Sequence, residues 1–152
     1  MENLNTLKFS VSISAPVQKV YHTMLGEEGY KLWTSVFNAG SHYVGSWEKG
    51  STIRFLGSDS NGNSGGMVSR IQENIPNQFV SIEHIGIIEK GEEITSGPKV
   101  DGWAGAKENY SFSGEEGQTT VGVLLDSTPE WAGYFNDTYP KALEKLKEIC
   151  ER

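Results

Sequence analysis

The stretch FSVSISAPVQKVYHTMLG, residues 9–26, changes its hydrophobic period at its middle. Phe9, Val11 and Ile13 alternate with Ser10, Ser12 and Ser14, the pattern of a strand with one face buried. Beyond Pro16 the apolar residues fall at Val17, Val20, Tyr21 and Met24, a spacing that gathers them on one stripe of a helix. Proline suits the first helical position, because its φ is already helical and its missing N–H would have no intrahelical partner. The pattern therefore places Ser14 or Ala15 at the cap and Gly26 at the end. A strand runs directly into a short amphipathic helix.

Downstream, EEGYKLWTSVF sets Tyr30, Trp33 and Phe37 three and four residues apart, which predicts a second short helix. From residue 43 to 127 the pattern is one of short strands parted by turn clusters. YVGSWEKGSTIRFLG divides at Lys49 and Gly50. SDSNGNSGG, residues 58–66, is a turn by composition; it has no Gly-Lys-Ser or Gly-Lys-Thr and leads into a strand, so it is not a phosphate loop. In GMVSRIQENI, Met67, Ser69 and Ile71 share one face and Val68 and Arg70 the other. Pro76 and Asn77 mark the next turn, and FVSIEHIGIIEKGEE continues as a long strand to about Glu89. EKGEEITSGPKVDGW is a polar surface excursion broken by Gly91, Gly97, Pro98 and Gly102. AKENYSFSGEEGQTTVGVLLD predicts a hairpin turning near Glu116 and Gly117. The last element opens with STPEW, where Ser127 or Thr128 caps, Pro129 takes the first turn and Glu130 complements the helix dipole. Its stripe of Trp131, Phe135, Ala142, Leu146 and Ile149 predicts a long helix over 129–150, bent or opened near Asn136 by Pro140. Trp131 and Phe135, one turn apart, are the expected anchors to the sheet.

One strand, two short helices, about six antiparallel strands and a long helix make an α+β protein, most compactly a curved sheet wrapped around one helix. At 152 residues the chain is read as a single domain over 1–152, large enough for a core without staples. Thirteen Lys and Arg against twenty Asp and Glu give a formal charge of −7, which argues against nucleic acid as a partner. No stretch reaches the roughly 18 apolar residues of a membrane span, and MENLNTLKF has no apolar signal region. With one cysteine, Cys150, read as inert packing, the expected compartment is the cytoplasm.

SISAP followed by VQKVYHTM resembles the opening of the START-like, or helix-grip, superfamily. GYKLWT, GGMVSRIQENIPNQFVSIEH and EWAGYFNDTYPKALEKLKE fall, in that order, where the family of the C-terminal domain of the activator of the heat-shock chaperone ATPase has similar segments. The resemblance spans nearly the whole chain. It implies a long helix gripped by a seven-stranded antiparallel sheet, with a cavity between them that in relatives binds lipids, hormones, polyketides or other apolar molecules. Some relatives are cyclases or dehydratases.

His84, mid-strand between Ile82 and Ile85, is the titratable group best suited to proton transfer. Glu83 points to the opposite face, so His84 has no orienting carboxylate within its own strand, which favours binding over catalysis; a partner on a neighbouring segment, Glu108 or Asp101, is left open by the sequence. Glu108, Asn109 and Tyr110 form a compact polar group, and Tyr110 is placed to donate a hydrogen bond into a cavity. His84 and Tyr110 are thus the catalytic candidates of an enzyme. His22 and His42 have no spacing partner, no His and carboxylate pair has metal-site spacing, and neither metal nor cofactor is expected. In the helix-grip arrangement Trp33, Phe37, Phe55, Trp103, Tyr110, Trp131, Phe135 and Tyr139 surround one space together with His84, and these nine are the expected ligand-binding residues. Trp103, in a polar excursion where no core demands it, has the position of a lid. The leading expectation is a binding protein for an apolar or aromatic small molecule, lipid-like or polyketide-like. A cyclase or dehydratase using the same cavity, and a chaperone-associated module engaging a protein partner, are the alternatives.

Overall fold

A computed structural model describes residues 4–58, 62 and 64–152. Residues 1–3 of the N-terminal stretch, and 59–61 and 63 of the expected glycine-rich turn, lie outside the described residues. β1 (Asn5–Ile13) is followed by α1 (Val17–Leu25) and α2 (Glu27–Thr34). Then come β2 (His42–Gly45), β3 (Thr52–Ser58), β4 (Ser64–Ile75), β5 (Phe79–Glu89), β6 (Glu92–Ile94), β7 (Ala106–Glu115) and β8 (Gln118–Ser127), and α3 (Pro129–Cys150) closes the chain. The strands form one antiparallel sheet in the order β1-β8-β7-β5-β4-β3-β2, with β6 added beside β5. This is the expected α+β architecture.

α3 lies against β1 and β8 on one side and against α1 and α2 on the other. Between helices and sheet sits a core built from Ile13, Val20, Met24, Trp33, Ile53, Ile71, Val80, Ile82, Val121 and Val123, joined by Leu143 and Leu146 of α3. The alternation of β1 turns Val11 and Ile13 inward, as their spacing requires.

Several local expectations are corrected. Pro16 is the N-cap of α1 rather than its first residue: its ψ is 150° and its carbonyl accepts the first helical bond, from Val20 N at 3.1 Å. Ser14 instead donates its backbone N–H to Glu151 Oε2 at 2.8 Å, tying the end of β1 to the end of α3. The second helix stops at Thr34, whose hydroxyl turns back to the Tyr30 carbonyl, and Phe37 follows in a turn. The excursion after β5 contains the unforeseen strand β6 and buries Val100. β4 keeps the expected alternation, and both its faces are covered: Ser69 meets His84 on the core side, while Val68 is buried on the other face, outside the core cluster.

The sheet anchors of α3 also differ. Trp131 is 52% exposed and Phe135 only half-buried, whereas Tyr139, Ala142, Leu143, Leu146 and Cys150 are the buried face. The apolar stripe is real, but its N-terminal third overhangs the core instead of entering it. α3 is continuous through Pro140, whose missing N–H leaves the Asn136 carbonyl without its helical partner.

Candidate functional site

Under the overhang lies a cavity of about 500 Å³, open at one side and walled by α2, the start of α3 and the strands β3, β4, β5, β7 and β8. All nine aromatic and imidazole side chains singled out above line it. They do so in different ways. Trp33, Phe55, His84, Tyr110 and Tyr139 are buried and form the floor, while Phe37, Trp103 and Phe135 are half-buried and Trp131 is exposed at the rim. Trp33 is held rigidly, its indole N–H donating to the Met24 carbonyl at 2.9 Å. Tyr139 stacks on Phe9 at 4.9 Å between ring centroids and meets Phe37 edge to face at 5.2 Å. Tyr30 and Tyr134, unnamed as candidates, line the same space.

At the floor is a carboxylate, Glu108, that accepts three hydrogen bonds. His84 Nε2 donates to Oε1 at 2.9 Å, Tyr110 donates to Oε2 at 3.2 Å, and Tyr139 also donates to Oε2. Burial works to raise the Glu108 pKa. The His84 hydrogen bond and charge, with the two phenol donors, outweigh it and hold the carboxyl below the ordinary carboxylate value. Burial, reinforced by the adjacent Glu108 charge, pushes the Tyr110 and Tyr139 phenols well above their usual range. Glu108 is therefore an ionised acceptor and the two tyrosines are protonated donors.

The other ring nitrogen of His84, Nδ1, lies 2.7 Å from Ser69 Oγ. A carboxylate facing Nε2 fixes a proton there, and Ser69 then donates to Nδ1 when the ring is neutral. Serine, histidine and glutamate in sequence have the connectivity of a nucleophile relay. Ser69, however, is 0% exposed and is not part of the cavity wall, so no substrate reaches its hydroxyl. Over the ring lies Trp103, parallel within 10° and 5.8 Å away between centroids. The excursion thus delivers its tryptophan onto the histidine face rather than merely to the rim.

His84 finds Glu108 because β5 and β7 pair Ile82 with Glu108 and His84 with Ala106, which makes the two side chains diagonal neighbours on one face. Asp101, the other candidate partner, is exposed. No single-strand pattern contains this register. Asp126 also lines the cavity, its carboxylate accepting from the Thr6 hydroxyl at 2.8 Å and from Lys107 N at 3.0 Å. Among the described residues no group of three His, Cys, Asp or Glu is placed to hold a metal ion. Among these residues, too, no helix is long and apolar enough to cross a membrane.

The chain is similar over 97% of its length to the Aha1 dimer from Colwellia psychrerythraea, covering 96% of that chain at 23% identity with a TM-score of 0.70. It has the START-like, helix-grip fold. The Mll3558 protein from Rhizobium loti superposes over 97% of this chain and 98% of its own, at 11% identity and a TM-score of 0.73. DynU16, a protein of the dynemicin biosynthetic locus, aligns with 95% of this chain through 46% of its own, at 15% identity and a TM-score of 0.66. No family model and no curated protein sequence matches the chain. At these identities the likeness is one of fold, and a fold of this kind hosts many functions.

Proposed function

We propose that the protein is a cytoplasmic binding protein for an apolar or aromatic small molecule, held in the cavity between the sheet and α3. The observation that carries this reading is the cavity itself: about 500 Å³, within the usual range for small-molecule sites, with aromatic-rich walls and a polar cluster around Glu108 at its floor. The nine residues named from the sequence are proposed as its ligand contacts, with Trp103 and Trp131 closing over the occupant. The similarity to a protein of a biosynthetic locus is consistent with a polyketide-like ligand, and the similarity to Aha1 with a protein partner.

The cyclase or dehydratase reading has the His84 and Glu108 pair in its favour. Against it, both ring nitrogens are already engaged, one by Glu108 and one by Ser69, and the Tyr110 hydroxyl is spent on Glu108. A general base has to reach the substrate proton, and the unprotonated nitrogen of His84 faces Ser69, which is not part of the cavity wall. Binding without turnover is therefore the better-supported reading.

Native mass spectrometry of the protein as purified from cells tests it. A retained small-molecule mass that leaves on denaturation, and that His84→Gln still retains, is the expected result. A protein of bare mass that also fails to take up apolar fluorophores refutes the proposal. Turnover of the retained compound, lost in His84→Gln by a factor of about 10² or more, would instead place the protein among the enzymes.

A further inference from the structure

At the carboxylate end of the cavity an acceptor position is left over, and the donors that surround it are spent. The Tyr110 and Tyr139 hydroxyl protons both go to Glu108, and both His84 nitrogens are occupied. Elsewhere on the wall Trp33 donates to the Met24 carbonyl, Thr34 to the Tyr30 carbonyl and Asn38 to the Ser58 carbonyl, while the hydroxyls of Tyr30, Ser41 and Ser58 and the indoles of Trp103 and Trp131 add donors that are all uncharged. A carboxylate has about four lone-pair positions. Glu108 uses two on Oε2 and one on Oε1, which leaves one acceptor position on Oε1. Charge points the same way. Among the described residues that line the cavity there are two carboxylates, Glu108 and Asp126, and no lysine or arginine. Should the His84 ring carry a second proton, that proton faces Ser69 and offers nothing to a ligand.

An anionic ligand entering this space would lose its hydration, meet carboxylates with no cation to offset its charge, and find the donors around Glu108 already used. An aromatic molecule with one N–H or O–H group would find the open position on Oε1. Resting on the ligand-binding reading above, we propose that the cavity selects a non-anionic aromatic molecule that presents a single hydrogen-bond donor to Glu108. Fatty acids and other carboxylate-headed lipids are thereby excluded from binding head-down.

Two fluorophores built on one skeleton separate the possibilities. N-phenyl-1-naphthylamine is uncharged and has one N–H; 8-anilinonaphthalene-1-sulfonate adds a sulfonate to the same rings. The expected result is saturable binding of the uncharged probe, with the sulfonate weaker by about tenfold or more, the scale of one charge-assisted contact. N-methylation of the uncharged probe should weaken it by several-fold, because it removes the donor. Glu108→Gln should narrow the gap between the amine and the sulfonate, and Asp126→Asn, at the cavity's second carboxylate, provides the same readout if the first variant does not fold. Equal or tighter binding of the sulfonate overturns the inference alone and leaves the ligand-binding reading standing. So does a gap unchanged in both variants. If neither probe binds, the ligand-binding reading fails and this inference fails with it.

Discussion

Replacing Glu108 by Leu should destabilise the protein far more than replacing it by Gln, because the cost lies in the donors left behind rather than in the lost charge. In the native protein three donors converge on the carboxylate: His84 Nε2 and the hydroxyls of Tyr110 and Tyr139. Leucine strands all three. A buried donor left without a partner costs about 1 to 3 kcal/mol. The Glu108 side chain is 12% exposed at the cavity floor, so water reaches some of them, and a total of about 3 kcal/mol is expected from the lower end of that range. Glutamine has a different option. Its carbonyl can accept from both tyrosines while its amide donates to His84 Nε2, provided the imidazole proton moves to Nδ1 and is given to Ser69 Oγ, 2.7 Å away. The cost is then only the stronger, charge-assisted character of the native bonds, about 1 kcal/mol.

The same pair of variants has a pH signature. Glu108 titrates below its ordinary value in the folded protein, so the unfolded chain binds its proton more readily. Its stabilising contribution is therefore complete above the ordinary carboxylate pKa and is lost as pH falls toward the lower folded value. Urea unfolding of parent and variants at pH 7 and at pH 4 measures both effects. The parent should lose more stability on acidification than Glu108→Gln does, since the variant has no proton to take up at that position. Equal stability of Glu108→Leu and parent at pH 7 would refute the account of stranded donors. An identical acid response in Glu108→Gln would refute the titration argument.

Along α3, Leu146→Ala should cost about 2 to 5 kcal/mol in chemical denaturation, as an emptied core site does, because Leu146 is 0% exposed. Trp131→Ala, at the 52% exposed rim, should change stability by about 0.5 kcal/mol or less while weakening N-phenyl-1-naphthylamine binding; the two effects reversed would mean that the N-terminal turns of α3 are core after all. Trp103→Ala should leave the fold intact and increase the solvent access of His84, seen as faster modification of the imidazole by diethyl pyrocarbonate, since the indole is stacked on that ring. Gly66→Ala should be disabling: φ is 151° there, and an added Cβ would lie 1.8 Å from the Phe55 carbonyl oxygen, so a loss of about 2 kcal/mol or more by thermal melt is expected.

What the sequence makes legible is whatever depends on local period and turn chemistry. The change of period at Pro16 marks β1 and α1, and Glu116 and Gly117, with φ of 51° and 79°, form the turn between β7 and β8 that their residue types suggest. β6 is illegible for an equally local reason. Glu92, Glu93 and Ile94 pair with β5 through the backbone and bury little, so no side-chain period announces them. The partnership of His84 with Glu108 depends on the β5 and β7 register, a pairing between segments far apart in sequence. Single-strand alternation excludes Glu83 correctly, but it has no means of choosing between Glu108 and Asp101. Ser69 escapes notice because a serine in alternation gives no sign that its hydroxyl is buried against an imidazole.

The misreading of Trp131 bears on why there is a cavity at all. A helical stripe tells which residues share a face, not how far the surface beneath that face extends. On α3 the stripe begins at Trp131, while the buried side chains begin only at Tyr139, two turns later. The first two turns therefore present Trp131, Tyr134 and Phe135 to a space that Phe37 and Phe55 border from α2's end and β3 but do not fill. Closing that space with protein would take larger side chains where Gly65 and Gly66 of β4 stand, and at Gly66 the close approach of the Phe55 carbonyl forbids one. The opening is thus maintained by backbone geometry on the sheet side and by an apolar overhang on the helix side. Aromatic surface left facing such a gap gains free energy from any apolar molecule that displaces water from it, which is how an apolar stripe longer than its core becomes a binding site.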